Sequence, residues 1–207
     1  SETVYTAKDY KQVSLAGVRD AVTMLSCNSL HKAMAELGVA PHNIAVISGI
    51  GCSSRLPYYV NRMGSTLFTD VPLLLQQEQS SQSKFDYLAD FGDGDGLAIG
   101  GNHFIHAVRR NIDLNMILLN NRIYGLTKGQ YSPTSERGFV SKSSPYGTVE
   151  DPVHPAELAF GARGRFFARC IAVDGAASVE VLKAAANHKG ALVVERSAKL
   201  RDLQRRN

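Results

Sequence analysis

Asp93 and Asn121 are the two side chains whose types and spacing suggest chemistry. Asp93 lies in the glycine–aspartate turn GDGD (Gly92, Asp93, Gly94, Asp95), and Asn121 closes the pair NN just after the apolar run LNMILL (Leu114 to Leu119). A separation of 28 residues fits one strand–helix–strand crossover, which returns both side chains to the same edge of a sheet. A carboxylate and an amide oxygen on neighbouring strand ends are hard oxygen ligands. They suit an octahedral Mg²⁺ that also holds a diphosphate, while Gly92 and Gly94 let the ligand approach the backbone. GDGD alone is common in surface loops, but GDGD with NN at this distance, after an apolar strand, is specific.

The elements that must position this pair follow an α/β order. From Asn28 to Leu37 the apolar residues Leu30, Ala33, Met34 and Leu37 recur at helical spacing, and Gly38 can close the helix in a left-handed conformation. NIAVIS (Asn43 to Ser48) reads as a short strand running into the turn GIGCSS. In that turn Gly49 and Gly51 give backbone freedom, Ser53 and Ser54 offer hydroxyls, and Cys52 is a candidate thiolate; the same residues also suit an ordinary strand-end turn. LNMILL reads as a buried parallel strand and 122–134 as a long polar loop containing Lys128. His103 and His106 lie three apart on the expected helix after GDGD and read as packed or capping residues, because no third ligand accompanies them. Two more helix–strand alternations follow between Val153 and Val194, the second helix from Ser178 to Asn187 and closed by Gly190, with Cys170 as a small core residue. The expected fold class is α/β, a mainly parallel sheet flanked by helices, with ligands at the carboxyl ends of the strands.

At 207 residues and 44% apolar, the chain is expected to form one domain with a single substantial core. It has no apolar run long enough to span a bilayer and no signal-like start, so no membrane partner and a cytoplasmic location are expected. Three cysteines form no metal-type spacing and argue against a disulfide framework. The net charge of +4 comes from the tail, where Arg196, Lys199, Arg201, Arg205 and Arg206 face only Asp202. The remainder is neutral, so no nucleic-acid partner is expected unless the tail supplies it.

The chain resembles the β, or thiamine-diphosphate-binding, subunits of the 2-oxoacid:ferredoxin oxidoreductases, especially the two-subunit type acting on 2-oxoglutarate. The resemblance is carried by GIGCSSRLPYYVN (Gly49 to Asn61), GDGDGLAIGGNHFIHAVRRN (Gly92 to Asn111) and NNRIYGLTKGQYSPTS (Asn120 to Ser135), and more loosely by SPYGTV, FFAR and AAANHKG. It implies a thiamine-diphosphate-binding fold. It also implies oxidative decarboxylation of a 2-oxoacid with coenzyme A to acyl-CoA, CO₂ and reduced ferredoxin, together with an α subunit that supplies the glutamate acting on the cofactor. By resemblance, Asp93, Asn121 and the backbone carbonyl of Ile123 would hold Mg²⁺, and the turns of Gly49, Gly51, Cys52 and Ser53 and of Gly92, Gly94 and Asp95 would surround the cofactor. Cys52 would be one ligand of a 4Fe-4S cluster, and Arg55 and Lys128 would face the 2-oxoacid.

Three motifs of the family are missing: WCPGCG before the first helix, HxxHGR after GIGCSS together with an apolar strand into GDGD, and EVLQNC near the C-terminus. Each is recoverable from another reading frame. Synonymous codons for Ala16 to Cys27 read from the third base give WCPGCGDYAVL, and those for Arg62 to Gln79 give YGFHSIHGRAAAVATGA. Codons for Glu195 to Asn207, with one base removed after Glu195, give EVLQNCVIFNDG. We therefore read 14–27, 62–91 and 196–207 as out-of-frame text, and the family as running beyond Asn207. With one cysteine of the four in place, the chain as written would hold Mg²⁺ and diphosphate but assemble no cluster. The other readings are an inactive thiamine-diphosphate-fold remnant kept as an assembly partner, and a nucleic-acid-binding module resting on the tail.

Overall fold

The structure is a computed structural model that describes residues 4–11, 21–60, 64–67 and 86–197. Six parallel strands form one sheet: β1 (Ile44–Ser48), β2 (Gly64–Leu67), β3 (Asp86–Gly92), β4 (Asn115–Asn120), β5 (Phe166–Ile171) and β6 (Leu192–Ser197), in the spatial order β2-β1-β3-β4-β6-β5. The helices are α1 (Ala21–Leu37), the short α2 (Leu56–Tyr59), α3 (Gly101–Arg109), α4 (Pro155–Gly161) and α5 (Gly175–Ala186).

Strand alternation sends neighbouring residues to opposite faces, and both faces are covered, as a parallel sheet requires. On one face Leu30 and Met34 of α1 and Val179 and Leu182 of α5 pack over Val46, Ile117, Leu119 and Val194. On the other, Phe104, Ala107 and Val108 of α3 and Ala159 of α4 pack over Ile47, Ala89, Met116, Leu118 and Val193. Gly38 (φ 67°) and Gly190 (φ 102°) take the left-handed conformation that the sequence predicts for them.

The expected strands after Asn43, at LNMILL and around 166–173 and 191–195 are present, as are the helices that alternate with them. Helix α1 starts earlier than its periodicity indicates, at Ala21, and α5 starts at Gly175, where the side chain of Asp174 caps it by accepting from Ala177 N at 3.0 Å.

One expectation is corrected. The crossover calls for a strand ending at GDGD, but the tract before it shows no strand period and reads as lacking the family's apolar strand; Asp86–Gly92 is nonetheless the central strand β3, paired with both β1 and β4. Asp90 is what hides it: this polar residue sits fully buried because Ser48 Oγ on β1, its register partner, donates to Asp90 Oδ1 at 2.6 Å. Gly64–Leu67 likewise forms edge strand β2. The glutamine tract 76–83 and most of the tail, 198–207, lie outside the described residues.

Candidate cofactor site

The chain order of the strands reverses between β1 and β3. β1 leads outward to β2, whereas β3 leads the other way to β4, so the loops leaving β1 and β3 diverge and open a crevice at their carboxyl ends. The turn after β1 is GIGCS and the turn after β3 is GDGD. Together with the NN turn after β4 they line one cavity of about 310 Å³, whose wall includes Gly51, Cys52, Ser53, Gly92, Asp93, Gly94, Asp95, Asn121, Ile123 and Tyr124. The sequence-predicted pair, Asp93 and Asn121, therefore converges on one site. The other cofactor residues implied by the resemblance line the same cavity, except Gly49, which stands behind it against Asp95.

Asp93 is buried, and hydroxyls meet it. Ser132 Oγ and Thr134 Oγ1 both donate to Asp93 Oδ2, the second at 2.6 Å, and the backbone N–H of Asn121 also bonds to the carboxylate. Burial raises the pKa of Asp93, and the bonds from Ser132 and Thr134 oppose that rise. Asp95 bridges the two glycine turns: its Oδ2 accepts from Ile50 N at 2.8 Å, and the approach is so close that a Cβ on Gly49 would stand 1.8 Å from that oxygen. Burial lifts Asp95 to about 6, against the lowering effect of its backbone N–H partners. One buried and one half-buried carboxyl whose named partners are all neutral make a place where a cation is electrostatically welcome.

The third turn is clamped to the second. Tyr124 OH donates to Gly94 O at 2.9 Å, and its ring lies where a Gly94 Cβ would sit, 2.2 Å from Cε1. Asn121 Oδ1 accepts from Ile123 N at 3.1 Å, which shapes the turn that presents the Ile123 carbonyl. Arg55 and Lys128 are exposed and lie outside the cavity lining, Lys128 at φ 70° in the 124–130 hairpin.

Sequence reasoning missed Ser132, Thr134, Asn120 and Tyr124. It read 122–134 as a polar loop, but Ser132, Thr134 and Ser135 are buried against Asp93 and the Arg122 carbonyl. The signal was available in the hydroxyl run YSPTS directly after NN. Among the described residues no group of three or more His, Cys, Asp or Glu could hold a metal, so His103 and His106 form no such site, and a cation here would rest on one carboxylate, neutral oxygens and the ligand's phosphates, which is the Mg²⁺ pattern. For an iron–sulfur cluster the fit fails: the chain has three cysteines, and Cys27 and Cys170 are buried in the core between α1, α5 and the sheet, away from Cys52.

Residues 80–196 match the family described as thiamine pyrophosphate enzyme, C-terminal TPP binding domain. The chain is 48% identical over 169 residues to the 2-oxoglutarate oxidoreductase subunit KorB of Mycobacterium tuberculosis, covering 81% of this chain and 45% of that protein. The chain belongs to the 2-oxoacid:ferredoxin oxidoreductase β-subunit family. A second member of the family, subunit beta of 2-oxoacid:ferredoxin oxidoreductase 1 from Aeropyrum pernix, is 39% identical over 168 residues, covering 81% of this chain and 53% of that protein. Among solved structures, 2-oxoglutarate:ferredoxin oxidoreductase from Magnetococcus marinus with 2-oxoglutarate, coenzyme A and succinyl-CoA bound superposes with a TM-score of 0.84 at 35% identity, over 93% of this chain and 67% of that one. A putative thiamin diphosphate-dependent enzyme from Mycobacterium smegmatis, at 11% identity and a TM-score of 0.53, shares the fold. The chain spans about half the length of the two β-subunit relatives named here. No helix among the described residues is long and apolar enough to cross a membrane.

Proposed function

We propose that this chain is the thiamine-diphosphate-binding subunit of a 2-oxoacid:ferredoxin oxidoreductase, with 2-oxoglutarate as the favoured 2-oxoacid. The observation that carries the reading is the convergence of the GIGCS, GDGD and NN turns on one cavity at the crevice where the chain order reverses. Asp93 Oδ1, Asn121 and the Ile123 carbonyl would hold Mg²⁺, and Mg²⁺ would hold the diphosphate. When bound, thiamine diphosphate supplies the carbanion chemistry and the electron sink for decarboxylation. The protein's own part is positional. Asp95 ties the β1 turn to the β3 turn, Tyr124 locks the β4 turn onto Gly94, and Ile50 and Leu126 add apolar surface to the cavity wall.

The partners that go with this reading are an α subunit, ferredoxin, a 2-oxoacid and coenzyme A, in the cytoplasm. Arg55 and Lys128 are assigned to the 2-oxoacid only if the α subunit folds their exposed side chains toward the cavity. Calorimetric titration of thiamine diphosphate tests the core of the proposal: binding is expected with Mg²⁺ present, and is expected to be lost in Asp93→Ala. Equal binding by Asp93→Ala would overturn it.

A second reading concerns the chain as written. One thiol at the site cannot replace the four thiolates of a 4Fe-4S cluster, so electron transfer out of this polypeptide is not expected. We attribute the deficit to out-of-frame text at 14–27, 62–91 and 196–207. Iron analysis of the purified chain is expected to show no stoichiometric cluster, and the nucleotide sequence is expected to regroup into the three missing motifs.

A further inference from the structure

Asp93 is not held by its immediate neighbours alone. Thr134 Oγ1, which donates to Asp93 Oδ2 at 2.6 Å, also stands 2.9 Å from Asn120 Oδ1. Asn120 Nδ2 in turn donates to Glu195 Oε1 at 2.8 Å, and Glu195 Oε2 accepts from Arg169 Nη2 at 2.6 Å and from Nε at 2.7 Å. Asp93, Thr134, Asn120 and Glu195 are each no more than 3% exposed. The chain of contacts runs from the turn after β3, through the loop after β4, across the ends of β4 and β6, to β5 at the sheet edge.

We propose that Thr134, Asn120 and Glu195 are positioning residues that set the cation affinity of Asp93 from two strands away. The proposal rests on the Mg²⁺ reading of Asp93 given above. The carboxylate torsion of an aspartate is broad and soft, so its rotation must be fixed by partners. Ser132 and Thr134 converge on the same oxygen, Oδ2, and so present Oδ1 to the cavity. Thr134 Oγ1 has one hydrogen and two acceptors within reach, Asp93 Oδ2 and Asn120 Oδ1, so the orientation of the Asn120 amide sets how much of that hydrogen Asp93 receives. An asparagine amide can turn over at little cost unless its partners distinguish oxygen from nitrogen. Glu195 makes the distinction: an ionised carboxylate only accepts, so it takes the NH₂ side and leaves Oδ1 facing Thr134. Arg169, bonded through two nitrogens, fixes the orientation of Glu195.

A purely structural network would affect stability and leave cation affinity unchanged, so the two roles separate experimentally. The full-length chain is titrated with Mn²⁺, a spectroscopic stand-in for Mg²⁺, in the presence of thiamine diphosphate, and free Mn²⁺ is followed by electron paramagnetic resonance. Thr134→Val is expected to weaken Mn²⁺ binding about tenfold or more, in the range seen when groups behind a metal ligand are removed. Thr134→Ser, which keeps the hydroxyl, is expected to restore it. Glu195→Gln, which touches no ligand and lets the Asn120 amide turn its NH₂ toward Thr134 Oγ1 so that Asp93 receives the whole hydroxyl hydrogen, is expected to shift Mn²⁺ affinity at least about threefold, below the tenfold lower bound for direct partners. Unchanged Mn²⁺ affinity in Glu195→Gln, with circular dichroism like that of the wild type, would overturn the proposal even if Thr134→Val failed to fold. Absence of Mn²⁺ binding by the wild-type chain would overturn the Mg²⁺ reading itself, which is a different result from equal binding by wild type and variants.

Discussion

Arg196 is fully buried in strand β6, beside Cys170 on β5 and Leu119 on β4, in the packed layer under α1 and α5. Its Nη2 donates to the Ala172 carbonyl at 3.3 Å, while Nε and Nη1 meet no well-placed oxygen or nitrogen acceptor and the guanidinium's other polar neighbour is the weakly accepting Cys170 thiol. Burial depresses its pKa, and the neighbouring groups that oppose this are the thiols of Cys170 and Cys27 rather than a carboxylate. Each unsatisfied buried donor costs about 1–3 kcal/mol, and replacing buried charge by well-packed apolar side chains is worth about 1–4 kcal/mol. Valine is the residue that the proposed alternative reading frame would place here. Arg196→Val removes the orphaned donors but leaves some empty volume, so we expect a net gain of about 2 kcal/mol. Arg196→Met, which fills the space better, should gain about 3 kcal/mol. At about 2–4 °C per kcal/mol for a chain of this size, the expected rise in Tm is about 4–12 °C, read by circular dichroism or calorimetry. A fall in Tm for both variants would refute the reasoning, because it would mean that the guanidinium has a stabilising partner and that position 196 is natively polar.

Asp95 gives a pH signature in the cofactor-free protein. Its folded pKa is about 6 against an ordinary 3.8, so the folded state binds more protons between these values and stability falls as pH rises through that window. The loss is about 3 kcal/mol, and it should disappear in Asp95→Asn when urea midpoints at about pH 4 and pH 7 are compared. His31 acts in the opposite sense: burial lowers its pKa below 6.5, so its contribution is complete above that value and is lost as pH falls below it. The difference between wild type and Asp95→Asn isolates the carboxyl from this background. Gly94→Ala would drive a Cβ into the Tyr124 ring at 2.2 Å, and should abolish Mg²⁺-dependent binding of thiamine diphosphate while costing about 1–3 kcal/mol of stability. Phe104→Ala, deep in the α3 face, should cost about 3–5 kcal/mol by chemical denaturation without changing the residues that line the cavity.

The alternation of helix and strand was legible because β1, β4 and β6 are short apolar runs bounded by turns, and because Gly38 and Gly190 mark helix ends. The convergence of Asp93 and Asn121 was legible because a strand–helix–strand crossover returns its two ends to one sheet edge, and both ends here carry a side-chain oxygen. β3 was not legible: Asp90 breaks its apolar run, and only a partner on β1, contributed by a residue 42 positions earlier, makes that carboxyl tolerable inside the sheet. The burial of Ser132 and Thr134 was hidden for the same reason, since a hydroxyl-rich loop reads as solvated until the buried carboxylate that it serves is placed. Asn120 and Glu195 were hidden as well. They are 75 residues apart, and nothing local in the sequence joins them.

The central claim is that one cation sits between Asp93 and Asn121 and holds a diphosphate. A crystal of the chain grown with Mn²⁺ and thiamine diphosphate tests it directly through anomalous scattering. The account predicts a single strong peak about 2.0–2.2 Å from oxygens of Asp93 and Asn121, in contact with the phosphates. A bound cofactor with its metal elsewhere, or Asp93 turned away from the peak, would contradict it.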